Sequence, residues 1–412
     1  MFEQQRQSPR SVLAAIFRDS DYRAILVELF LLGVASGLVL PFVALWVTSD
    51  LHGTTGQAAL IYVPAGIVAV VANIGAGIYS DKVGRRRGVI LVALLCGGIS
   101  RIGLAFATDY RVAIVLYALT GFSPFAIVFA LLRDTIISRQ SSATGDSGAF
   151  ITTLERTAFS LGWLVGPVLG GFIIEYTGFG GLFLISGALF LLGLLWAFRT
   201  LFDQPAISTR TLTPLRKISA HDALVLGLLF IFGLLLFAGD RGRVMFLTLH
   251  LIGNLHLSVV QVSWAYFATV VSELLLMPLS GRLADRFGAT RVAIAGVTAQ
   301  AAFFFSLSIA STVWQILMLQ VLYAFVVSTS NGIAIVLAQK SMPAEMSAVS
   351  TSTYMVSGGL APILNSALIG TSVVAGSFPR MFDVLGLLAS LSLALVLVLA
   401  FLGNRRSISS RS

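Results

Sequence analysis

The stretch "GIYSDKVGRRR" (residues 77–87) and its shifted copy "GRLADRFGATR" (residues 281–291) decide the fold of this 412-residue chain. Both copies carry the pattern G-x-x-x-D-[K/R]-x-G, and 204 positions separate them, about half of the chain. The same shift aligns "SDLHG" (residues 49–53) with "GNLHL" (residues 253–257). One constant shift across separate elements predicts two similar halves in parallel orientation.

The composition predicts that both halves lie in a membrane. Hydrophobic residues make up 57% of the chain and charged residues only 11%, and the mean hydropathy is +0.93. Soluble domains carry about 25% charged residues. Twelve apolar runs have the length of about 20 residues that a helix needs to cross a bilayer. The predicted spans are 25–47, 58–79, 89–107, 112–132, 149–174, 180–198, 223–249, 259–279, 292–309, 313–337, 347–375 and 382–402.

The basic residues predict the orientation. With a cytoplasmic N-terminus, the cytoplasmic segments hold 21 Lys and Arg, and the outer loops hold only Arg111 and Arg380. By the positive-inside rule both termini are expected in the cytoplasm of a multi-pass protein of the cell (inner) membrane. The surplus charge then faces anionic lipid head groups, so nucleic acid is not needed as a partner. We expect no removable signal peptide, and Cys96, the only cysteine, excludes an intrachain disulfide.

With its repeat, the opening motif resembles the loop motif of the major facilitator superfamily. The resemblance implies an all-α polytopic membrane protein with twelve transmembrane helices as two parallel six-helix repeats. We expect an N-terminal half at 1–198, a cytoplasmic linker at 199–222 and a C-terminal half at 223–412.

Two further stretches narrow the resemblance. "GWLVGPVLGG" (residues 162–171) is similar to the fifth-span motif of superfamily exporters. Its glycines predict a smooth face for close helix contact, and its proline is expected to kink the helix. The motif residues are Gly162, Gly166, Pro167, Gly170 and Gly171. "LERTAFSLGWLVGP" (residues 154–167) and "SELLLMPLSG" (residues 272–281) resemble bacterial sugar efflux transporters, in which an Arg and a Glu recur at the places of Arg156 and Glu273.

The basic cluster of the opening motif has two interpretations. Three arginines hold the loop in the cytoplasm, which explains the charge but not Gly77 or Asp81. The resemblance implies a latch between the halves, in which Asp81 caps a helix of the other half. The second copy is expected to be weaker, because Ala289 and Thr290 replace its basic pair. The expected latch residues are Gly77, Asp81, Gly84, Arg85, Asp134, Gly281, Asp285, Arg286 and Gly288.

Carboxylates inside the spans are candidates for proton coupling, because an ionised side chain at the bilayer centre costs about 2.5–3.5 kcal/mol. Asp240 and Arg243 share a helix face in the seventh span. Either they belong to an ion pair that holds helices together, or Asp240 accepts a proton or a substrate hydroxyl beside a neighbouring cation. Glu273 has no cationic neighbour within one turn of its helix, so burial favours its protonated form. Glu28 is near the start of the first span, where snorkelling to the interface competes with a coupling role.

Polar and aromatic residues of the spans are the candidates for a central cavity. They offer hydrogen bonds to hydroxyl groups and aromatic faces to ring C–H groups, although each aromatic residue alone also suits plain packing. The cavity candidates are Arg156, Trp163, Arg241, Arg243, Tyr266, Asn331, Tyr354 and Asn365. Arg101 in the third span calls for a carboxylate partner that the sequence does not identify.

The expected function is secondary transport by alternating access, with no cofactor and no catalytic residues. No metal-binding, nucleotide-binding or hydrolase motif occurs in the sequence, which speaks against an enzyme. The preferred activity is export of sugars or sugar-like solutes by proton antiport. The alternatives are a proton-coupled multidrug exporter and, with less support, a substrate sensor that does not transport.

Overall fold

The computed structural model describes residues 20–83, 87–122, 147–201, 219–342, 346–370 and 378–409, and all regular structure within them is helical. The α-helices, numbered in chain order, are α1 (Ser20–Val39), α2 (Val43–Ser49), α3 (Thr55–Leu60), α4 (Tyr62–Val83), α5 (Arg87–Leu104), α6 (Tyr110–Leu119), α7 (Ser147–Thr200), α8 (Ala220–Gly253), α9 (Val259–Phe287), α10 (Ala289–Ile309), α11 (Val313–Ser328), α12 (Ala334–Lys340), α13 (Ser347–Gly370) and α14 (Phe378–Ser409). A 3₁₀ turn (Leu40–Phe42) joins α1 to α2, and a π turn (Thr329–Ile333) joins α11 to α12.

A described helix lies at each of the twelve predicted spans. Among the described residues, eight helical segments are long and apolar enough to cross a membrane, and one of them, Arg156–Thr200, is part of α7, which contains two predicted spans. The break between those two spans is at Gly178, whose torsion angles (φ 69°, ψ −173°) are not helical. Two shorter apolar helices lie at the fourth and tenth spans, and α13 lies at the eleventh. The chain is therefore an all-α polytopic membrane protein.

The connections after the first span of each half have the same backbone conformation. His52 (φ 50°) and His256 (φ 53°) both adopt the left-handed region, which no other described residue except glycine enters. The sequence repeat had aligned these two histidines. The Gly53 N–H donates to the Val47 carbonyl at 2.8 Å, and the Leu257 N–H donates to the equivalent carbonyl at 3.1 Å.

The helices that follow these connections also begin alike. Thr54 with Gln57, and Ser258 with Gln261, each form a capping box in which side chain and backbone bond reciprocally. These pairs differ by the same 204 positions as the two motif copies. The internal repeat is thus present in the backbone as well as in the sequence.

The glycine face of the fifth span contacts α1 at backbone distance. A Cβ on Gly162 would lie 2.3 Å from the Phe30 carbonyl oxygen, and one on Gly166 would lie 2.8 Å from the Cα of Gly37. Gly33 on α1 faces Gly162 in the same way. Two helices approach this closely only where neither carries a side chain, because any Cβ would overlap the other backbone.

Three close contacts between the two halves lie at one end of the helices. Ser366 on α13 donates to the Ala59 carbonyl at 2.8 Å, and Thr248 on α8 donates to the Pro41 carbonyl at 2.6 Å. On α7, a Cβ at Gly171 would lie 2.8 Å from the hydroxyl of Ser263 on α9. Because successive spans alternate in direction, all these residues lie at the end remote from the two motif copies. The halves are joined at that end.

The packing of α4 on α13 and of α7 on α9 also reflects the symmetry of the repeat. These elements are the second, eleventh, fifth and eighth spans. A two-fold rotation that exchanges each span with its counterpart six spans later turns the first pair into the second. This relation fits two parallel repeats about an axis along the membrane normal.

The two motif copies lie at the opposite end. Gly77 and Asp81 are part of α4, whereas Gly84, Arg85 and Asp134 fall outside the described residues. In the second copy, Gly288 (φ 89°) separates α9 from α10. A glycine is required there because this φ is strained for any residue with a Cβ.

The second motif copy is open to its surroundings. Asp285 and Arg286 are exposed, and a Cβ on Gly281 would meet no atom within 4 Å. The guanidinium of Arg286 lies over the neighbouring Phe287 ring, 5.2 Å from its centroid. Among the described residues, no contact of Asp285, Arg286 or Gly281 with the other half is formed in this conformation.

Candidate functional site

Asp240 lies in the middle of α8 and is half-buried. Its Oδ1 accepts a hydrogen bond of 3.0 Å from the hydroxyl of Tyr323 on α11, and the Tyr323 side chain is fully buried. The carboxylate therefore joins two helices of the C-terminal half through a neutral donor.

Arg243 lies one turn further along α8 and is only 5% exposed. Its Nη1 donates to the Oε1 of Gln320 at 2.7 Å, and its guanidinium lies 4.2 Å from the centroid of the Tyr323 ring and 5.2 Å from that of Tyr266. Asp240 and Arg243 thus bond to residues of α11 rather than to each other. Such a guanidinium is stabilised by ring faces and an amide oxygen.

Gln320 orients this part of the site. Its Oε1 also accepts a hydrogen bond of 2.8 Å from Thr269 on α9, so one amide oxygen joins α8, α9 and α11. Its Nε2 and the Nε of Arg243 are buried and have no hydrogen-bond partner. Two nitrogen donors of the site are therefore unused.

Glu273 on α9 connects the network to the N-terminal half. Its side chain is 9% exposed and lies close enough for electrostatic interaction with Arg156 on α7, and with Asp240 and Arg243 on α8. Arg156, which is half-buried, also interacts with Tyr354 on α13. The charges that the sequence placed on three separate spans are thus brought together where the halves meet.

A second polar link crosses between the halves at Thr248. Its hydroxyl donates to the Pro41 carbonyl and is also within 3.1 Å of the Tyr266 hydroxyl. Thr269, Glu273 and Ser280 share the buried stripe of Tyr266 on α9, and Ser280 bonds Ser328 at 2.8 Å. The hydroxyls of this stripe therefore pack against neighbouring helices.

Arg241 and Arg101 lie near the same tyrosine. Arg241 is exposed, and both arginines are close enough to Tyr117 on α6 to interact with it electrostatically. The guanidinium of Arg101 lies 3.9 Å from the centroid of the Phe190 ring and donates to the Gly97 carbonyl. The partner of Arg101 is thus an aromatic face, not the carboxylate that the sequence led us to expect.

Glu28 lies apart from this network, in the N-terminal half. It is 1% exposed, and neither carboxylate oxygen has a hydrogen-bond partner. A Cβ on Gly193 would lie 2.8 Å from its Oε1, so the carboxylate is packed directly against α7. The interpretation that Glu28 snorkels to the interface is wrong, because its carboxylate is enclosed by protein.

The remaining cavity candidates have structural contacts. Tyr354 is buried, donates to the Ser330 carbonyl at 3.1 Å and lies 5.0 Å from the Phe237 ring centroid. Asn365 donates to the Ala238 carbonyl at 3.0 Å, and its Oδ1 has no partner. Trp163 is half-buried against the core. Asn331 lies in the π turn, and its side chain is not among those described.

Gln320 and Tyr323 were missed in the sequence. A glutamine in the interior of the apolar run 313–337 was a signal, because an amide inside a membrane span is costly without a partner. Tyr323 gave no comparable signal, since tyrosine is common in membrane helices. Within the described ranges, no three His, Cys, Asp or Glu side chains are grouped so that they could hold a metal ion.

The fold and the buried charges between its halves define a class, the polytopic helical transporters of small solutes. The chain belongs to the Major Facilitator Superfamily, whose family model matches residues 25–249 and 229–412.

The chain is also similar to several named transporters of other bacteria. It is 25% identical to sugar efflux transporter A of Dickeya chrysanthemi over 353 residues, which cover 83% of this chain and 88% of that protein. It is 29% identical to a putative sugar efflux transporter of Deinococcus radiodurans over 378 residues, 88% of this chain and 93% of that protein. It is 28% identical to multidrug resistance protein MdtG of Salmonella choleraesuis over 309 residues, 71% of this chain and 74% of that protein.

Solved structures share the fold. A mutant of the nucleoside transporter NupG superposes with a TM-score of 0.76 at 15% identity, covering 93% of this chain and all of that one (100%). A mutant of the peptide transporter POT superposes with a TM-score of 0.73 at 14% identity, covering 93% and 94%. The chain is therefore a multi-pass transporter of the major facilitator fold.

Proposed function

We propose that this protein exports sugars or sugar-like small solutes across the cytoplasmic membrane by proton antiport and alternating access. Relatives named as sugar efflux transporters align with more than four-fifths of the chain and support this choice of substrate class. The observation that carries the proposal is the group of charges formed by Arg156, Asp240, Arg243 and Glu273 where the halves meet. Charges inside membrane spans are costly, and where they occur they typically mark substrate or ion pathways.

The proton is proposed to bind Glu273 or Asp240. When Glu273 is ionised, its charge attracts Arg156 across the boundary between the halves, and protonation removes that attraction. A proton therefore changes how strongly the two halves hold together, which is the requirement for coupling its movement to a conformational change. Glu28 is a second candidate, because its carboxylate has no partner to keep it ionised.

Alternating access is proposed to separate the contacts at the joined end. The basic loops favour a cytoplasmic location for both termini, so the joined end is assigned to the outside and solute loads from the cytoplasm. After loading, the latch around Asp81 and Asp285 would form as the cytoplasmic ends approach each other, and it would break on return. Membrane lipids with anionic head groups would contact the basic loops.

Export of hydrophobic drugs is the second candidate, supported by the similarity to multidrug resistance protein MdtG. The two candidates are separated in inside-out vesicles that contain the purified protein. Labelled lactose or glucose and a cationic dye are offered with and without a pH gradient. Sugar accumulation without dye accumulation supports the proposal, dye accumulation alone contradicts it, and binding without any flux would indicate a sensor.

Glu273→Gln and Asp240→Asn test the proton sites. We expect each to lower gradient-driven export at least about tenfold, since losing the coupling carboxylate removes the coupling free energy. Sugar exchange at equal pH on both sides should remain. The matched control is Glu175→Gln, at an exposed glutamate outside the network. Normal proton exchange and normal export in both variants would show that protons bind elsewhere.

A further inference from the structure

We propose that the preferred solute is a sugar acid, whose single carboxylate binds to Arg243 and Gln320. This inference rests on the proposed function, export of sugar-like solutes, and names the chemical class of the solute. It would place a charged group of the ligand inside the network, where a neutral sugar offers only hydroxyls.

The first support is the environment of Arg243. Its side chain is 95% removed from solvent, yet its hydrogen-bond partner is the neutral amide of Gln320 and its faces meet two tyrosine rings. A buried cation normally binds a carboxylate, because the loss of hydration is otherwise poorly compensated. Glu273 interacts with Arg243 only electrostatically, so a ligand carboxylate would supply the direct bond to a carboxylate that Arg243 lacks.

The second support is the pair of unused donors. The Nε of Arg243 and the Nε2 of Gln320 are both buried and without a partner. Buried donors are nearly always satisfied in folded proteins, so two of them on bonded side chains point to an absent acceptor. A carboxylate has two acceptor oxygens and fits the planar donor fork of an arginine.

Glucuronate and glucose form a matched pair of probes, because they differ only in the carboxylate or alcohol at one carbon. Binding of each labelled compound to the purified full-length protein is measured in detergent, and export is measured in proteoliposomes. We expect glucuronate to bind at least about tenfold more tightly than glucose, the scale of a desolvated ion pair. Equal or tighter binding of glucose would overturn the inference.

Two variants test the assigned residues. Arg243→Gln removes the cation, and Gln320→Glu retains the shape of the side chain but gives Arg243 an internal carboxylate that competes with the ligand. Both should lose the preference for glucuronate, while the exposed-site control Arg380→Gln keeps it. If Arg243→Gln does not fold, Gln320→Glu still decides. A preference that persists in Gln320→Glu with normal affinity would contradict the assignment.

Failure of the inference is distinguishable from failure of the proposed function. If glucose is exported and glucuronate is not, sugar export stands and the sugar-acid inference is overturned. If neither moves and a cationic dye is exported, both the substrate class and the inference are overturned.

Discussion

At the scale of single residues, the two left-handed histidines show that the repeat constrains backbone torsion angles. His52 and His256 are both exposed, so burial of the imidazole does not explain their conformation. The left-handed region costs an L-residue about 1–2 kcal/mol. The tight connections after the first and seventh spans impose this cost in both halves.

His52→Gly and His52→Ala test this strain, because both remove the imidazole and only alanine retains a Cβ. We expect the glycine variant to be about 0.5–1 kcal/mol more stable than the alanine variant, since relief of backbone strain exceeds the added entropy of the unfolded chain. Thermal unfolding in detergent measures the difference. At His221, in the first turn of α8, the order should reverse because helical torsion angles favour alanine. If the glycine variant is the more stable one at His221 as well as at His52, the proposed strain at His52 is refuted.

The sequence identified the ionisable residues of the site but not their partners. Asp240, Arg243 and Glu273 stand out by their cost in a membrane span. The approach of Arg156 to Glu273 and the role of Gln320 depend on how helices distant in sequence pack. Neither follows from periodicity within one helix.

At the scale of elements, the contact of α1 with α7 depends on glycines on both helices. The sequence predicted the face of Gly162, Gly166 and Gly170, because their spacing repeats every helical turn. It did not identify α1 as the partner, although Gly33 and Gly37 carry the same four-residue spacing. A stripe of small residues predicts that another helix packs closely on it, but it does not identify that partner helix.

Gly162→Ala tests this contact. The new Cβ would lie 2.3 Å from the Phe30 carbonyl oxygen, so the helices must separate, and we expect a loss of about 1–3 kcal/mol. The matched control is Gly227→Ala in α8, where a Cβ meets no atom within 4 Å and better helix propensity should leave stability equal or higher. Thermal unfolding of both variants is compared, and equal melting temperatures would contradict close packing at Gly162.

At the scale of the whole molecule, the twelve spans and their two-fold relation were predictable because the motif, its copy and the hydropathy agree. Which end of the halves is joined was not predictable, since a transporter sequence must permit both arrangements. The contact of Ser366 with Ala59 decides it for this conformation.

Cross-linking these two positions tests the movement. In a Cys96→Ser background, Ala59→Cys with Ser366→Cys should react with a short reducible cross-linker, because the parent residues share a hydrogen bond of 2.8 Å. We expect export to stop and to return after reduction, since the joined end must open in each cycle. Each single cysteine variant is the control. Full export by the cross-linked protein would show that this end does not move.

The bonds at the joined end determine how the protein responds to salt outside the cell. Its named hydrogen bonds run from hydroxyls to backbone carbonyls, as at Thr248 and Pro41. Dissolved ions screen pairs of charges over about 8 Å at physiological ionic strength, but they weaken bonds between neutral dipoles little. If this end faces outward, a rise in external salinity leaves the closure intact. The outer end of the protein would then close equally well at low and at high external salt concentration.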